Sequence, residues 1–215
     1  MGMMSDLFLQ AAMILISIFM FLYMHDVPKK LMAKFRFRNR PQTQAKRHFV
    51  IGAQLLARAR SIKSRSAASN LAKEAVEEAD KAVALDPKDA AAHILKALAL
   101  DLQGFKTSAL DSLDAALSPL AIKSLSEKEK GDALFKRAEL KIAIGRHGKV
   151  DAALGDLTEA VLLSSDNVKA FCLLGECYEL KQMGEEAKKA YDEALKLEPE
   201  LAVAKEALQR LGSSS

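Results

Sequence analysis

The sequence predicts an all-α protein, and three observations support this fold class. Over 215 residues, only five prolines and ten glycines interrupt stretches that are long enough for helices. No stretch shows the alternation of apolar and polar residues that indicates a β-strand. Small residues recur instead at a fixed spacing, which is typical of helix pairs that pack closely. Half of the residues are apolar and 28% are charged, as in a folded helical array rather than a disordered chain.

The first predicted element is a single N-terminal transmembrane helix from Leu7 to Met24. These eighteen residues contain no charge, and as a helix they would extend about 27 Å, close to the ~30 Å hydrocarbon core of a bilayer. A cleaved signal peptide is an alternative, but the stretch lacks a basic start and a small-residue cleavage site. A buried soluble helix is another, although it would normally carry a polar stripe. We expect a signal-anchor at 7–24, with residues 1–6 on the exoplasmic or lumenal side.

A basic juxtamembrane linker at 25–46 follows, and its charge predicts the orientation. From His25 to Ser66 there are twelve basic residues and one acidic residue, a net charge of +11, whereas the chain from Ala67 onward has a net charge of −6. Because basic residues beside a span stay cytoplasmic, we expect a single-pass membrane protein with its folded domain in the cytosol. The endoplasmic reticulum is favoured over the mitochondrial outer membrane or plastid envelope.

The same basic segment is expected to contact anionic lipid headgroups, since each such cation gains about 1 kcal/mol near an anionic surface. It lacks the interleaved aromatic residues of a nucleic-acid site, so no nucleic acid is expected. The residues that would contact the membrane surface are Lys29, Lys30, Lys34, Arg36, Arg38 and Arg40.

Small residues then recur with a period of 34, and the last unit reads Phe171-x2-Leu174-Gly175-x2-Tyr178. The recurring sets are Ala75, Ala79 and Ala82 with Ala109, Leu113 and Ala116, and then Ala153, Leu157 and Ala160 with Ala187, Tyr191 and Ala194. This pattern resembles the tetratricopeptide repeat family. The resemblance implies an α-solenoid of antiparallel helix pairs over residues 47–211. Its parts are a degenerate repeat at 47–88, repeats at about 90–121, 131–166 and 168–200, a capping helix at 201–211, and a tail at 212–215.

The middle of the array departs from the period, because Ala109 and Ala153 are 44 residues apart. We place seven of the ten extra residues at about 122–130. There Ser124 is followed three residues later by Glu127, which is typical of a capping box, so a lengthened helix or an added turn is expected. In the degenerate repeat we expect helices at about 49–62 and 70–85, joined by a serine-rich loop.

The sequence contains no motif of catalytic or metal-binding chemistry. It has no glycine-rich phosphate loop, no HExxH and no GxSxG. Cys172 and Cys177 are five residues apart, which matches neither a redox pair nor a zinc-ligand pair. We therefore expect no enzymatic activity, no cofactor, no metal and no small-molecule substrate.

The family resemblance implies that the first helices of the repeats line a groove for a peptide or helix. One subclass of the family clamps the C-terminal carboxylates of the Hsp70 and Hsp90 chaperones with Lys, Asn and Arg. Here Leu95 and Asp132 occupy comparable positions and cannot supply those donors. A groove of apolar and acidic residues suits an amphipathic or basic segment instead. By the resemblance, the groove residues are Ile94, Leu98, Asp101, Phe135, Glu139, Ile142, Lys169, Cys172, Glu176 and Glu179.

Two functional hypotheses follow. The first is a membrane-anchored scaffold or adaptor that binds a protein partner on the cytosolic side. The alternative is a targeting or import receptor, or a co-chaperone-like protein, that recognises amphipathic segments at an organelle surface.

Overall fold

The computed structural model of the chain describes residues 10, 12–18, 20–21, 27–145 and 150–213, with the backbone alone at 27–40 and at Ser213. The chain divides into two compact units, Met1–Gln44 and Ala45–Ser215.

In the first unit, the described residues from Gln10 to Phe21 are helical, and their large apolar side chains are more than half exposed. The expected span at 7–24 falls partly outside the described residues, and the expected N-terminal segment 1–6 falls wholly outside them. Within the described part of the chain, no helix combines the length and the apolar character needed to cross a bilayer.

The first long helix, α1, runs from Val27 to Ser61 and belongs to both units. A basic juxtamembrane linker was expected over 25–46, and residues 27–46 of this segment are helical. These residues contain no glycine, and Pro28 lies in the first turn, where its missing N–H would have no helical acceptor. Pro41 lies inside the helix. The helix therefore begins more than twenty residues before the one expected at about 49.

The second unit is a series of helices joined by short connections. Their bounds are α2 Arg65–Leu85, α3 Ala90–Gln103, α4 Lys106–Ala116, the 3₁₀ turn η1 Ile122–Ser124, α5 Glu127–Ile144, α6 Val150–Leu163, α7 Val168–Leu180, α8 Gly184–Leu197 and α9 Ala202–Ser213.

These helices pack in sequence, each on the next. The pairs α3–α4, α5–α6 and α7–α8 form hairpins, and α4–α5, α6–α7 and α8–α9 pack between them. Alanine dominates the buried positions, so helix axes approach closely at each pair. At the first hairpin turn, Gly104 has φ +89°, a backbone conformation that favours glycine.

The last hairpin shows most clearly why small residues are needed. A Cβ atom added to Gly175 in α7 would lie 2.7 Å from the Tyr191 ring in α8. The ring fills the space that the missing side chain leaves and is fully buried. The sequence expectation that Gly175 permits close packing of this pair is confirmed.

Two local expectations were wrong. The serine-rich loop is confined to residues 62–64, because the Ser64 side chain caps α2 at its start and the serines that follow are helical. The capping box at α5 is formed by Ser126 and Glu129, not by Ser124 and Glu127. The Ser124 hydroxyl instead accepts a hydrogen bond from the backbone N–H of Ala90, at 3.0 Å. The inserted residues thus form η1 and the start of α5.

Candidate functional site

The odd-numbered helices α1, α3, α5, α7 and α9 line two cavities, and we call their shared surface the first-helix face. The first cavity has a volume of about 470 Å³ and lies among α1, α3 and α5. Its apolar lining includes Ile94 and Leu98, which the sequence analysis assigned to the groove. The lining residues that it did not assign include Phe49, Ala53, Leu56 and Ala57 of α1, together with Leu125.

A signal for the α1 residues was present in the sequence. Phe49, Ala53, Leu56, Ala57 and Arg60 follow a spacing of four, three, one and three residues. This spacing places them on one face of a helix. The register of the degenerate repeat was not fixed by the family pattern, so this face was not assigned.

The charged groups at the edge of the first cavity are mostly held by contacts within the fold. Lys136 contacts Asp101 and Glu139, each at 2.7 Å. Burial acts to lower the pKa of Lys136, but these two hydrogen bonds outweigh burial and raise it. Asp132 accepts hydrogen bonds from Ser164 and Asn167. Arg60 differs, since it has no ion-pair partner among the described residues.

The second cavity has a volume of about 330 Å³ and lies among α5, α7 and α9. It brings together five residues that the sequence analysis assigned to the groove. The assigned residues are Phe135, Glu139, Lys169, Cys172 and Glu176, and the further lining residues are Val168, Leu173, Glu198, Leu201 and Val203.

The second cavity has a small excess of negative charge, because two unpaired carboxylates face one unpaired ammonium group. Among the described residues, the side chains of Glu176, Glu198 and Lys169 have no hydrogen-bond or ion-pair partner. Partial loss of solvent raises the pKa of Glu176, and the nearby charge of Glu179 raises it further. Burial raises the pKa of the Cys172 thiol, and the carboxylates of Glu176 and Glu198 add to the effect. The cavity therefore disfavours anions and favours a cation beside an apolar group.

The remaining three assigned residues line neither cavity. Asp101 is paired with Lys136, and Ile142 packs into the core between α5, α6 and α7. Glu179 accepts hydrogen bonds from the Tyr191 hydroxyl, at 2.5 Å, and from Arg210. Contacts within the fold thus hold the two carboxylates.

Several other assignments concern residues elsewhere in the chain. Leu95 and Asp132 line the first cavity. Neither side chain carries the N–H donor that a carboxylate clamp requires at that position. The side chains of the basic residues from Lys29 to Arg40 lie outside the described part of the structure. No group of three or more His, Cys, Asp or Glu side chains able to hold a metal ion occurs among the described residues.

The family model of the tetratricopeptide repeat matches residues 64–124 and 145–202, which together make up more than half of the chain. The chain belongs to the tetratricopeptide repeat family. The family match confirms the repeat architecture that the residue spacing indicated. Proteins with this fold generally serve as non-enzymatic scaffolds for protein interactions. A comparison with curated protein sequences finds no match.

Solved structures share the fold at low sequence identity. The APC/C hetero-tetramer Cut9–Hcn1 matches with a TM-score of 0.62 and 18% identity over 78% of this chain, which spans only 29% of the matched chain. Pseudomonas aeruginosa pilF matches with a TM-score of 0.61 and 17% identity, over 81% of this chain and 70% of that one. Both likenesses show the fold alone.

A third structure is the first TPR of Spaghetti (RPAP3) bound to the HSP90 peptide SRMEEVD. It is 25% identical to this chain, with a TM-score of 0.51, over 60% of this chain and 94% of that one.

Proposed function

We propose that the chain is a scaffold or adaptor that binds a segment of a partner protein along the first-helix face. One observation carries this proposal: the two cavities adjoin the same helix, α5. Lys136 lines the first cavity, whereas Phe135 and Glu139 line the second. An extended or helical segment that lay across α5 would reach both.

The likeness to the first TPR of RPAP3 supports peptide binding, because that domain is bound to an HSP90 peptide. The charge of the second cavity favours a ligand whose sequence differs from that of the HSP90 peptide. The HSP90 peptide ends in acidic residues, whereas Glu176 and Glu198 in the second cavity would repel such a ligand. The partner segment we propose is amphipathic, with apolar side chains in the first cavity and a cation near the second.

Proximity labelling in cells with the full chain tests this proposal. Ala57 is exposed and lines the first cavity, so Ala57→Trp would fill the cavity without disturbing the core. Ala152 is also exposed, on α6, and lines neither cavity, which makes Ala152→Trp a matched control. We expect Ala57→Trp to lose the enriched proteins and Ala152→Trp to retain them. Equal labelling by both variants would refute binding in the first cavity.

We also propose that the apolar N-terminal stretch attaches the protein to a membrane, with the repeats in the cytosol. The support is the uncharged run of eighteen residues followed by a strongly basic segment. The described apolar side chains of this run are 51–68% exposed, from Met13 to Phe21, and such a patch on a soluble surface would be covered. Carbonate extraction of the full chain, compared with an Ile14→Lys, Ile16→Lys variant, tests attachment. Extraction of both proteins alike would refute it.

The identity of the organelle membrane distinguishes an adaptor from the alternative, an import or targeting receptor that recognises amphipathic segments. The strong hydrophobicity of the run favours the endoplasmic reticulum, and imaging of a fluorescent fusion tests this assignment. Location at the mitochondrial outer membrane or plastid envelope would favour the receptor function instead.

A further inference from the structure

The turn between α1 and α2 has an exposed apolar side chain beside two cations. It reads Ile62-Lys63-Ser64-Arg65, and we call these four residues the basic corner. All four are exposed, and Ile62 is 37% exposed. No acidic residue occurs from Ala45 to Lys73. Lys63 and Arg65 have no ion-pair partner among the described residues.

The fold itself does not account for these two cations. Arg65 is the first residue of α2, and Lys63 precedes the Ser64 cap. A helix N-terminus carries partial positive charge, so a cation there is unfavourable by about 0.3–1 kcal/mol. Arg58 and Arg60 differ, because they lie in the last turn of α1 and interact favourably with its C-terminus. Arg65 is therefore placed against the local electrostatic preference, and no ion pair among the described residues holds Lys63.

The second cavity has the complementary chemistry. Its walls include the apolar side chains of Leu173, Leu201 and Val203, which can accept a branched aliphatic group. Its carboxylates Glu176 and Glu198 have no partner among the described residues. The corner thus offers an aliphatic side chain and two unpaired cations. The cavity offers an apolar wall, two unpaired anions and one unpaired cation, Lys169, which leaves an excess of negative charge.

We propose that the basic corner of one copy of this chain docks in the second cavity of another copy. Ile62 contacts the apolar wall, and Lys63 and Arg65 lie against Glu176 and Glu198. Two different surface patches meet in this contact, so the association is head-to-tail and forms a ring or an open chain of copies. This inference rests on the proposed function, since it names one occupant of a cavity on the first-helix face. A bound copy would exclude the basic part of a partner segment.

Cross-linking between two differently tagged full chains tests the contact. The first copy carries Ile62→Cys with Cys172→Ser and Cys177→Ser, and the second keeps Cys172 and carries Cys177→Ser. These are the only two native cysteines, so any mixed product joins the corner to the cavity of another copy. A short bismaleimide is used in mildly alkaline, low-salt buffer, because the pKa of Cys172 is raised. A non-ionic detergent covers the exposed apolar side chains from Met13 to Phe21.

We expect the mixed product from Ile62→Cys and little from a matched control, Ser108→Cys, which is exposed on α4. The charges are then reversed, either by Lys63→Glu and Arg65→Glu in the first copy or by Glu176→Lys and Glu198→Lys in the second. Each reversal should reduce the yield of the mixed product about tenfold or more, because attraction becomes repulsion. Combining both reversals should restore it. None of these four side chains has a partner within the described fold, and circular dichroism checks that the variants fold.

Equal products from Ile62→Cys and Ser108→Cys, or a failure of the combined reversal to restore cross-linking, would overturn the proposal. Absence of cross-linking in every pair would do the same. In that case, proximity labelling in cells with the Glu176→Lys, Glu198→Lys variant identifies the other occupant. If this variant no longer labelled the proteins that the native chain labels, the cavity would bind another protein rather than a second copy. Partner binding in the first cavity is tested separately by Ala57→Trp, so the two proposals can fail independently.

Discussion

The hairpins α5–α6 and α7–α8 have the same topology but are held together by different chemistry. In α5–α6, the buried carboxylate of Asp156 receives two hydrogen bonds from Arg137, at 2.9 and 2.6 Å, and one from Lys141, at 2.7 Å. In α7–α8, the buried ring of Tyr191 packs on Gly175. Both hairpins contain a closely packed glycine, since a Cβ on Gly131 in α5 would lie 2.9 Å from the Ser164 side chain. The buried ion cluster is what distinguishes the first hairpin.

The two kinds of contact differ in how strictly they fix the spacing of residues along the helices. The apolar, small-residue contact requires the family spacing, because a Gly and a ring must lie opposite each other. The ion cluster joins long side chains, which reach across the pair from several positions. Arg137 even extends to Asp114 on the preceding α4, at 3.1 Å. The residues inserted before α5 lie between these two helices, α4 and α5.

The largest expected effect on the free energy of unfolding comes from removing the buried carboxylate of Asp156 in α5–α6. Asp156→Ala would leave Arg137 and Lys141 partly buried without their shared partner, and breaking such a cluster costs about 3–5 kcal/mol. Asp156 is 7% exposed, so water cannot compensate fully. Denaturant unfolding followed by circular dichroism measures the loss in the free energy of unfolding.

Asp151→Ala is the control in the same helix. Its carboxylate pairs with Lys181 but its side chain is 71% exposed, and exposed pairs contribute about 0–1 kcal/mol. Similar losses for Asp151→Ala and Asp156→Ala would show that burial of the ion cluster does not matter.

The second expected effect concerns shape, and the same substitution can be made in both hairpins. In α7, Gly175→Ala adds a Cβ at 2.7 Å from the Tyr191 ring, and such overpacking costs about 1–3 kcal/mol. In α6, a Cβ on Gly155 would meet nothing within 4 Å. Gly155→Ala should therefore stabilise its helix by about 0.5–1 kcal/mol. Opposite signs in denaturant unfolding would support the contrast, whereas equal signs would remove it.

A third, smaller effect is expected from the polar end of the same ring. Tyr191→Phe removes the hydrogen bond to the Glu179 carboxylate, and a bond to a charged group contributes about 1.5 kcal/mol or more. Burial raises the pKa of Tyr191 above its usual value of 10.0, and Glu179 raises it further.

This shift gives the third effect a pH dependence. A raised pKa in the folded state means that the contribution is complete below pH 10.0 and is lost as the pH rises above it. The difference in unfolding free energy between the native chain and Tyr191→Phe should therefore shrink above that pH. A difference that grows instead would contradict the assigned shift.

The packing of α7 on α8 could be predicted from the sequence, whereas the ion cluster of α5 and α6 could not. Gly175 and the residues opposite it could be recognised because the family pattern reports direct packing. The ion cluster could not, since Arg137, Lys141 and Asp156 lie on two helices and the repeat spacing does not report contacts between long charged side chains. In the site, Ile94 and Leu98 were assigned from the repeat register, and they do line a cavity.

Asp101 and Glu179 were assigned to the groove in the same way, but contacts with residues of other elements hold them. Lys136 pairs with Asp101, and Tyr191 and Arg210 hold Glu179. A register gives the face on which a residue lies but does not reveal which partner reaches it. The sequence also did not predict that α1 is continuous from Val27 to Ser61. Pro28 and Pro41 alone do not decide where a helix begins.

The smallest expected effect concerns the start of α5, where two Ser-x-x-Glu spacings overlap. The sequence alone could not choose between Ser124–Glu127 and Ser126–Glu129, and the bond from the Ala90 N–H to the Ser124 hydroxyl decides it. Glu129 accepts hydrogen bonds from the Ser126 hydroxyl and backbone N–H, and these lower its pKa. Ser126→Ala should cost about 1 kcal/mol.

The capping box should also be sensitive to acid. A lowered pKa in the folded state means that the contribution of Glu129 is present above its usual value of 4.5 and is lost as the pH falls below it. Glu129→Gln should therefore reduce the acid dependence of unfolding at pH values below 4.5. If acid titrations of the unfolding midpoint were the same for Glu129→Gln and the native chain, the lowered pKa of Glu129 and its part in the capping box would be contradicted.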